Sequence, residues 1–224
     1  MRTLIVENVK RNWLLNEARL IQRHLPEQAA VWHALTQPPP SHDSFDRLII
    51  GGSEISILED HDWLHREQEF VARAIDDGKP VLGICFGHQM IARALWGKNN
   101  VRSAPVAEFG WRTVDLDTND PLLAGLPKAP TLYCSHFQEV IDPPAQARVI
   151  AESDMCGVHG LALRDKPVWG LQFHPEMDKL NGMKIFAYVG PLKRQVNVDL
   201  AAQYRRAREP AYAAVIFRNF WKAS

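Results

Sequence analysis

The sequence predicts an α/β protein with a mostly parallel sheet that is flanked by helices. Through the first hundred residues, short apolar segments rich in β-branched side chains alternate with longer segments of helical character. Because parallel strands require long crossover connections, this alternation is typical of a parallel sheet with both faces covered. After residue 110, short strand-like segments follow one another with few helices between them, which predicts added antiparallel strands.

The first half is predicted to follow the order β-α-β-β-α-β-α. Its strand segments are short and apolar, and its helical segments carry apolar residues that recur on one face. Three consecutive prolines within 37–41 exclude a strand there, because proline cannot donate to a ladder. Asp77 with Gly78 ends the second helix, and Gly97 follows the third. We predict strands at 3–6, 29–35, 47–50 and 80–84, and helices at 17–25, 63–75 and 86–95.

The second half is predicted to contribute short strands and then a helical tail. Turns are marked by Asp120 with Pro121 and by the segment 142–144. We predict strands at 111–116, 131–134, 149–151, 160–163 and 168–173, and helical character over 179–224. The sequence shows neither an internal repeat nor an interdomain linker. We therefore expect one domain over 1–224, with a core of about 1–176 and a C-terminal helical extension at 177–224.

The composition is that of a protein with a sizeable core and no net charge. Apolar residues make up 46% of the chain, and Lys plus Arg equal Asp plus Glu at 26 each. This balance argues against nucleic acid or an anionic membrane as the main partner. The apolar run at 4–6 is short and is soon followed by Lys10 and Arg11, so it predicts neither a signal peptide nor a membrane-spanning helix. We therefore expect a cytoplasmic protein.

The cysteines and histidines give no metal-binding pattern. Cys85, Cys134 and Cys156 are odd in number and contain no Cys-x-x-Cys pair, which predicts neither a disulfide framework nor a thiolate zinc site. His61 and His65 have the i, i+4 spacing of a helical ligand pair, but no glutamate follows His61. A solvated helix face explains that spacing, and we expect no metal.

The segment 83–87, Gly-Ile-Cys-Phe-Gly, is the cysteine form of the G-x-S-x-G nucleophile elbow. That motif needs a strand before it and a helix after it, and both are predicted here. Gly83 and Gly87 remove side chains that would clash in the tight turn, and the N-terminus of the following helix favours a Cys85 thiolate. Taken alone, the segment also fits a buried structural cysteine.

His174 is the candidate base because it lies in the segment 172–176, Gln-Phe-His-Pro-Glu, just past a predicted strand. In an extended chain, residues i and i+2 point to the same side. Glu176 can therefore approach one imidazole nitrogen while the other faces the Cys85 sulfur, and Pro175 restricts the backbone between them. Nucleophile, base and orienting carboxylate would form a triad for acyl transfer. A histidine taken alone is more often a surface or core residue.

The segments 83–89 and 172–176 together closely resemble the class-I glutamine amidotransferases, the family that contains the glutaminase parts of GMP synthetase and anthranilate synthase. Two further segments agree in order and position. The segment 49–53 resembles the glycine-rich loop after the third strand, although Ser53 stands where the best-known members carry proline. The segment 133–136 resembles the Ser-His strand end that binds glutamine. The resemblance covers residues from about 3 to 176.

The resemblance implies a flavodoxin-like open sheet with Cys85, His174 and Glu176 as the catalytic triad. It also implies an oxyanion hole formed by the backbone N–H groups of Gly52 and Phe86, and the elbow rule independently gives Phe86 that position. The residues implied to hold the glutamine backbone atoms are Gln89, Ser135 and His136. No metal or organic cofactor is needed for this chemistry.

The sequence leaves three functions open. The first is a glutaminase that hydrolyses glutamine and passes ammonia to a separate synthase subunit. The second is an autonomous γ-glutamyl hydrolase or peptidase. The residues after Glu176 are too few for an ATP-using acceptor domain, and the helical tail resembles that of stand-alone members, including the plant γ-glutamyl peptidases. The third is a non-catalytic or redox-sensing module, which would have no need for 174–176. The tail could cap the site, mediate dimerisation or dock a synthase, and no pattern indicates the oligomeric state.

Overall fold

A computed structural model describes residues 1–10, 14–192, 200–208 and 212–223 of the chain. Its central sheet has a parallel part and an antiparallel part. The parallel strands are β1 (Thr3–Glu7), β2 (Ala30–His33), β3 (Arg47–Ile50), β4 (Val81–Ile84) and β10 (Val168–Leu171). The antiparallel strands are β9 (Gly160–Leu163), β8 (Ala147–Glu152) and β6 (Asp115–Leu116).

The strand order of this eight-stranded sheet is β2-β1-β3-β4-β10-β9-β8-β6. The predicted α/β class, with a mostly parallel sheet and added antiparallel strands, is confirmed. Three helices accompany the parallel strands along the chain: α1 (Glu17–Gln22), α2 (Asp62–Asp76) and α3 (Phe86–Trp96). The first is shorter than predicted and ends before Leu25, because Pro26 disfavours helical backbone at the residue that precedes it.

The alternation of side chains along the strands of the main sheet gives two apolar layers, one on each face. One layer joins Ile5 and Ile49 to α1 and to α6 (Ala213–Lys222), whose Phe217 and Phe220 are fully buried. The other layer lies on the opposite face of the sheet and contains Ile50 with side chains from α2 and α3. Both faces of the sheet are therefore covered, which is why its strands are almost entirely apolar.

A separate two-stranded sheet corrects one part of the prediction. The strands β5 (Val101–Thr113) and β7 (Thr131–Val140) pair with each other and join no other strand among the described residues. Their register is antiparallel, with a shift between Ser103 and Glu108. The predicted strands at 111–116 and 131–134 were expected to extend the main sheet. Instead the first is divided between β5 and β6, and the second is the start of β7.

The C-terminal segment is helical where it is described, as predicted. It contains α4 (Lys179–Leu192), α5 (Leu200–Arg206) and α6, whereas the parts of the predicted helical tail at 193–199, 209–211 and 224 lie outside the described residues. The Arg47 guanidinium of β3 lies 3.7 Å from the Trp221 ring and ties the end of α6 to the sheet. Among the described residues, no helix combines the length and the apolar character that crossing a membrane requires.

The pairing of the parallel strands brings four strand ends to one edge. The strand β3 pairs with β1 on one side and β4 on the other, and β4 in turn pairs with β10. Ligands of open α/β sheets bind in the crevice outside the carboxyl ends of the strands. The residues that follow these four strands are therefore the first place to look for a site.

Candidate active site

Cys85 occupies the tight turn between β4 and α3. Its backbone φ of 53° is in the left-handed region that non-glycine residues rarely adopt, at a cost of about 1–3 kcal/mol. The flanking glycines make the turn possible: a Cβ at Gly83 would collide with the backbone of Gly87, and one at Gly87 with the Ile50 carbonyl. The Cys85 N–H donates to the Leu171 carbonyl at 2.7 Å. The cysteine is thus held at the carboxyl edge of the sheet.

His174 lies beside Cys85 because β10 is the parallel neighbour of β4. Its backbone N–H donates to the Tyr133 carbonyl at 2.8 Å, which connects the loop after β10 to β7. Its Nδ1 lies 2.8 Å from Glu176 Oε1, and the imidazole also hydrogen-bonds to the Cys85 side chain. The structure therefore brings together the three residues that the sequence predicts as nucleophile, base and orienting carboxylate.

The surroundings of His174 favour its protonated form. Burial alone would lower the pKa of His174. The charges of Glu176 and Cys85, together with hydrogen bonds to both side chains, instead raise this pKa well above its ordinary value. An imidazolium beside a thiolate is the arrangement that activates cysteine nucleophiles. Such a pair can attack a carbonyl carbon and then protonate a leaving group.

Gly52 carries one of the two predicted oxyanion-hole donors. Its N–H is already hydrogen-bonded to a side chain that belongs to no sequence motif. Gly52 follows β3, and its N–H donates to the buried carboxyl group of Glu17, the first residue of α1. Burial raises the pKa of Glu17 to about 7; the Glu176 charge adds to this effect, and the His174 charge opposes it. The other predicted donor, Phe86, is the first residue of α3, and its N–H has no acceptor within the helix.

A cavity of about 310 Å³ adjoins these groups. This volume is at the lower end of the range for small-molecule sites. Cys85, His174 and Glu17 line one part of it, and Ile185 and Tyr188 of α4 line another. Of the roles considered for the C-terminal segment, its first helix therefore fits that of a cap over the site.

Gln89 and Ser135, two of the residues expected to bind glutamine, also line the cavity. The Gln89 amide nitrogen donates to the Gln138 carbonyl at 2.9 Å and to Gln172 Oε1 at 3.0 Å. Because both of its N–H groups are used within the protein, Gln89 can offer a ligand only its side-chain oxygen. The Ser135 carbonyl oxygen lies 3.6 Å from Cys85 Sγ and can accept a hydrogen bond from the thiol form of this cysteine.

His136, the third of these residues, also lines the cavity but belongs to a second buried polar cluster. Its Nδ1 lies 3.1 Å from the Gln138 carbonyl, which can only accept, and its Nε2 lies 3.0 Å from Glu108 Oε2. The same carboxylate oxygen lies 2.6 Å from His159 Nε2, and Ser153 Oγ donates to the other oxygen at 3.1 Å. With both ring nitrogens engaged, His136 can meet a ligand only through its backbone or its ring carbons.

The charge state of this second cluster follows from its contacts. Burial opposes ionisation of Glu108, yet the hydrogen bonds from His136 and His159 hold its pKa far below the ordinary value. Burial also lowers the pKa of His159, which therefore donates as a neutral imidazole. Both ring nitrogens of His136 lie against oxygen atoms of the protein, so its contacts leave no ring nitrogen free. The cluster is thus a carboxylate that two imidazoles and one hydroxyl contact within hydrogen-bond distance.

In the described part of the chain, two groups of side chains have atoms that could bind a metal ion and that lie close to one another. One group is Glu108, His136, Cys156 and His159; the other is Glu17, His174 and Glu176. In both groups the side chains already hydrogen-bond to one another or to the backbone, so protons account for the close approaches. We assign neither group as a metal site.

Ser53 anchors the glycine-rich loop, at the position where the best-known members of the family that the sequence resembles carry proline. Its Oγ donates to the Asn8 carbonyl at 2.7 Å and accepts a hydrogen bond from the Ile55 N–H at 3.0 Å. A serine hydroxyl that bonds to the backbone two residues on stabilises a tight turn. The loop that carries Gly52 is therefore anchored to the end of β1.

Comparison with known proteins points to one family. The family model described as glutamine amidotransferase class-I matches residues 23–187. The chain is also 34% identical over 143 residues to a Sulfolobus acidocaldarius protein that is named as one subunit of a glutamine-hydrolysing GMP synthase. That match covers 63% of this chain and 73% of the other.

Two solved structures of glutamine amidotransferases share the fold. The protein from Thermotoga maritima matches with a TM-score of 0.78 at 20% identity, over 99% of this chain and 96% of the other. The protein from Methylobacillus flagellatus matches with a TM-score of 0.78 at 21% identity, over 99% of this chain and 94% of the other. At these identities the likeness concerns the fold, and it agrees with the flavodoxin-like sheet that the sequence predicts.

Proposed function

The chain belongs to the class-I glutamine amidotransferase family of cysteine-dependent amidohydrolases, and we propose that it hydrolyses the side-chain amide of glutamine through a γ-glutamyl thioester on Cys85. The observation that carries this proposal is the hydrogen-bonded series of Cys85, His174 and Glu176 beside the cavity. A buried cysteine with a structural role has no use for an oriented imidazole that faces an open volume.

In the acylation step, the Cys85 thiolate attacks the side-chain amide carbon of glutamine. A carbon–sulfur bond forms, and the electron pair of the C=O bond moves to oxygen. The developing negative charge is directed to the backbone N–H groups of Gly52 and Phe86, and such a donor is worth roughly 3 kcal/mol in comparable enzymes. The imidazolium of His174 then protonates the departing nitrogen, and ammonia leaves as the C=O bond re-forms.

In the deacylation step, a water molecule hydrolyses the thioester. His174, now neutral, accepts a proton from the water as its oxygen attacks the carbonyl carbon. The Cys85 thiolate leaves, and glutamate is released. Glu176 remains hydrogen-bonded to His174 Nδ1 and keeps the other ring nitrogen toward the sulfur. Glutamine and water are thereby converted to glutamate and ammonia, with no metal or organic cofactor in any step.

We further propose that the ammonia is passed to a separate synthase subunit. The support is the name of the S. acidocaldarius relative, which describes it as one subunit of a glutamine-hydrolysing synthase. The alternative is an autonomous γ-glutamyl hydrolase, which shares all the chemistry above and differs in the leaving group. The contact of α4 with the cavity favours neither, because a cap can serve both.

The proposed hydrolysis is tested by measuring ammonia release from glutamine with the purified chain and with Cys85→Ala. We expect turnover by the wild type and a loss of at least about a thousandfold in the variant. Cys134→Ala is the matched control and should retain activity, because the Sγ of this second buried cysteine donates to the Leu132 carbonyl and not to an imidazole. Equal ammonia release by wild type and Cys85→Ala would contradict the proposal.

A γ-glutamyl dipeptide distinguishes the two leaving groups in the same assay. A glutaminase that serves a synthase should release ammonia from glutamine and leave the dipeptide intact. Faster cleavage of the dipeptide than of glutamine would instead support the autonomous hydrolase. Either result leaves the role of Cys85 to be judged from the alanine variant.

A further inference from the structure

The Gly52 amide has a single hydrogen, and this hydrogen is already bonded to the Glu17 carboxyl group. We propose that Glu17 is an internal ligand of the oxyanion hole, a positioning residue whose carboxyl group must leave Gly52 before the carbonyl oxygen of glutamine can occupy the site. This inference rests on the proposed function, because it gives Gly52 the role of an oxyanion donor.

The geometry makes the Glu17 contact an intimate one. Both of its carboxyl oxygens lie against Gly52: they would be 2.8 and 3.0 Å from a Cβ placed on that glycine, and nearly all real Cβ contacts are longer. Glu17 is only 5% exposed and is held at the start of α1 by the side chain of Asn16, which accepts a hydrogen bond from the Arg19 N–H. The carboxyl group also lines the cavity that contains Cys85.

Glu17 and the substrate therefore compete for one donor. The carbonyl oxygen of glutamine gains negative charge when the thiolate attacks, and it needs the Gly52 N–H at that moment. A carboxyl group bonded to the same hydrogen excludes that contact. An ionised Glu17 would in addition repel both the thiolate and the developing oxyanion. Catalysis thus requires displacement of Glu17. The free energy that this displacement costs lowers the rate of glutamine hydrolysis by the isolated chain.

The titration of Glu17 gives this competition a pH dependence, because burial raises the pKa of this carboxyl group into the neutral range. The titratable groups around Glu17 are His174 and Glu176 after β10, Glu7 of β1, and Cys85, which lines the same cavity. Since Glu17 has a pKa of about 7, its carboxyl group gains its charge as the pH rises through that value. The charged form accepts a stronger hydrogen bond from Gly52 than the neutral form. Inhibition by Glu17 should deepen from about pH 6 to about pH 8.

The experiment compares kcat/KM for glutamine hydrolysis in wild type, Glu17→Ala and Glu17→Gln between about pH 6 and pH 9. We expect Glu17→Ala to exceed the wild type by about tenfold at pH 8, which corresponds to one hydrogen bond to a charged group. The wild type should lose activity above about pH 7, and neither variant should show that loss. Glu67→Gln is the matched control, because Glu67 is another buried glutamate but does not contact Gly52; it should keep the wild-type profile.

Activity at or below the wild-type level in both Glu17 variants, with a wild-type pH profile, would overturn the proposal. The Gly52 amide gives a second readout that needs no turnover. In ¹⁵N-labelled wild type its NMR signal should titrate with a midpoint near pH 7, and in Glu17→Gln it should not. If neither the wild type nor any variant hydrolyses glutamine, the proposed function fails. The NMR titration alone then tests whether Glu17 is bonded to the Gly52 amide. A Gly52 signal that is independent of pH in the wild type would count against it.

Discussion

His174 with Glu176 and His136 with Glu108 are both buried histidine–glutamate pairs, with N···O distances of 2.8 and 3.0 Å. The first pair stands at the carboxyl edge of the main sheet, next to Cys85 in its strained turn, and its imidazole faces the cavity. The second pair lies in the β5–β7 sheet, where His159 and Ser153 supply the remaining hydrogen bonds of the carboxylate.

The difference between the two pairs lies in what surrounds them. In the second cluster every hydrogen bond of Glu108 goes to a fixed protein group, and the nearby Cys156 stays a thiol because burial raises its pKa to about 12. In the first, one face of the imidazole is left for a sulfur atom and a substrate. A buried histidine–glutamate pair is thus chemically useful only beside a nucleophile and an accessible volume, and it is otherwise a means of holding strands together.

The comparison predicts that His174→Ala lowers the catalytic rate and that His159→Ala lowers the stability. Loss of His174 should lower kcat by about 10⁴-fold, which is about 5.5 kcal/mol of activation free energy, because the proton donor and acceptor of both steps is gone. Loss of His159 should leave kcat within about threefold and reduce the free energy of unfolding by about 2 kcal/mol. Steady-state kinetics and urea unfolding of both variants check this. Similar losses of kcat in the two variants would erase the distinction between the clusters.

A second prediction concerns Glu108→Ala, which removes the acceptor shared by two imidazoles. The free energy of unfolding should fall by about 3–5 kcal/mol, because the variant leaves two buried imidazoles and a hydroxyl without their shared acceptor. The KM for glutamine should also rise, since His136 loses the contact that fixes its ring beside the cavity. Urea unfolding gives the first quantity and initial rates give the second. Glu152→Ala, an exposed glutamate on β8, is the control and should change stability by less than about 0.5 kcal/mol.

Glu67 of α2 extends the comparison to a buried glutamate that has no histidine partner. Its carboxyl group hydrogen-bonds to an amide and not to an imidazole. It accepts this bond from the Asn8 side chain at 3.0 Å, and burial raises its pKa to about 8. Because this pKa is above that of the unfolded chain, the folded protein binds more protons between about pH 4.5 and pH 8. The stabilisation by neutral Glu67 is therefore fully present at low pH and is lost as the pH rises through about 8.

Glu67→Gln should remove this part of the pH dependence. From pH 5 to pH 8 the wild type should lose on the order of 3 kcal/mol more unfolding free energy than the variant does. Urea unfolding at the two pH values measures this difference. Glu69→Gln, on the exposed side of the same helix, should behave as the wild type does. A wild-type stability that rises between pH 5 and pH 8 relative to Glu67→Gln would show that Glu67 is ionised in the fold.

Local patterns in the sequence predicted the elements around the nucleophile well. The bounds of β3 and β9 agree with the prediction, and the strand–turn–helix at Cys85 lies where the glycine pair places it. These features depend on neighbours in the chain: alternating or continuous apolar residues define the strands, and glycines permit the turn. The division of the chain into a core and an extension stays a prediction, as do the individual roles of the site residues.

The start of β5 escaped prediction because its residues do not form a strand pattern. Pro105 and several polar side chains interrupt the segment from Val101 to Glu108, and the structure tolerates them because the pairing with β7 is shifted there. Sequence also could not show that β5 and β7 form their own sheet. That outcome depends on which edges the other strands leave open, which is a property of the whole fold.

The buried carboxylates were missed for a different reason. Glu17 meets Gly52 from a distance of 35 residues in the chain, and Glu108 meets His136 and His159 from 28 and 51. A single glutamate in a helix or a strand is usually exposed, and no spacing distinguishes one that folding will bury. What identifies such a glutamate is the group that it contacts in the folded protein, and that group is remote in the sequence.

The central claim is that Cys85 carries the γ-glutamyl group during turnover. Rapid acid quenching of the wild type with saturating glutamine, followed by peptide mass spectrometry, tests this most directly. The account predicts one γ-glutamyl group per chain, on the peptide that contains Cys85, and none in Cys85→Ala. A γ-glutamyl group on Cys134 or Cys156, or undiminished ammonia release by Cys85→Ala, would contradict it.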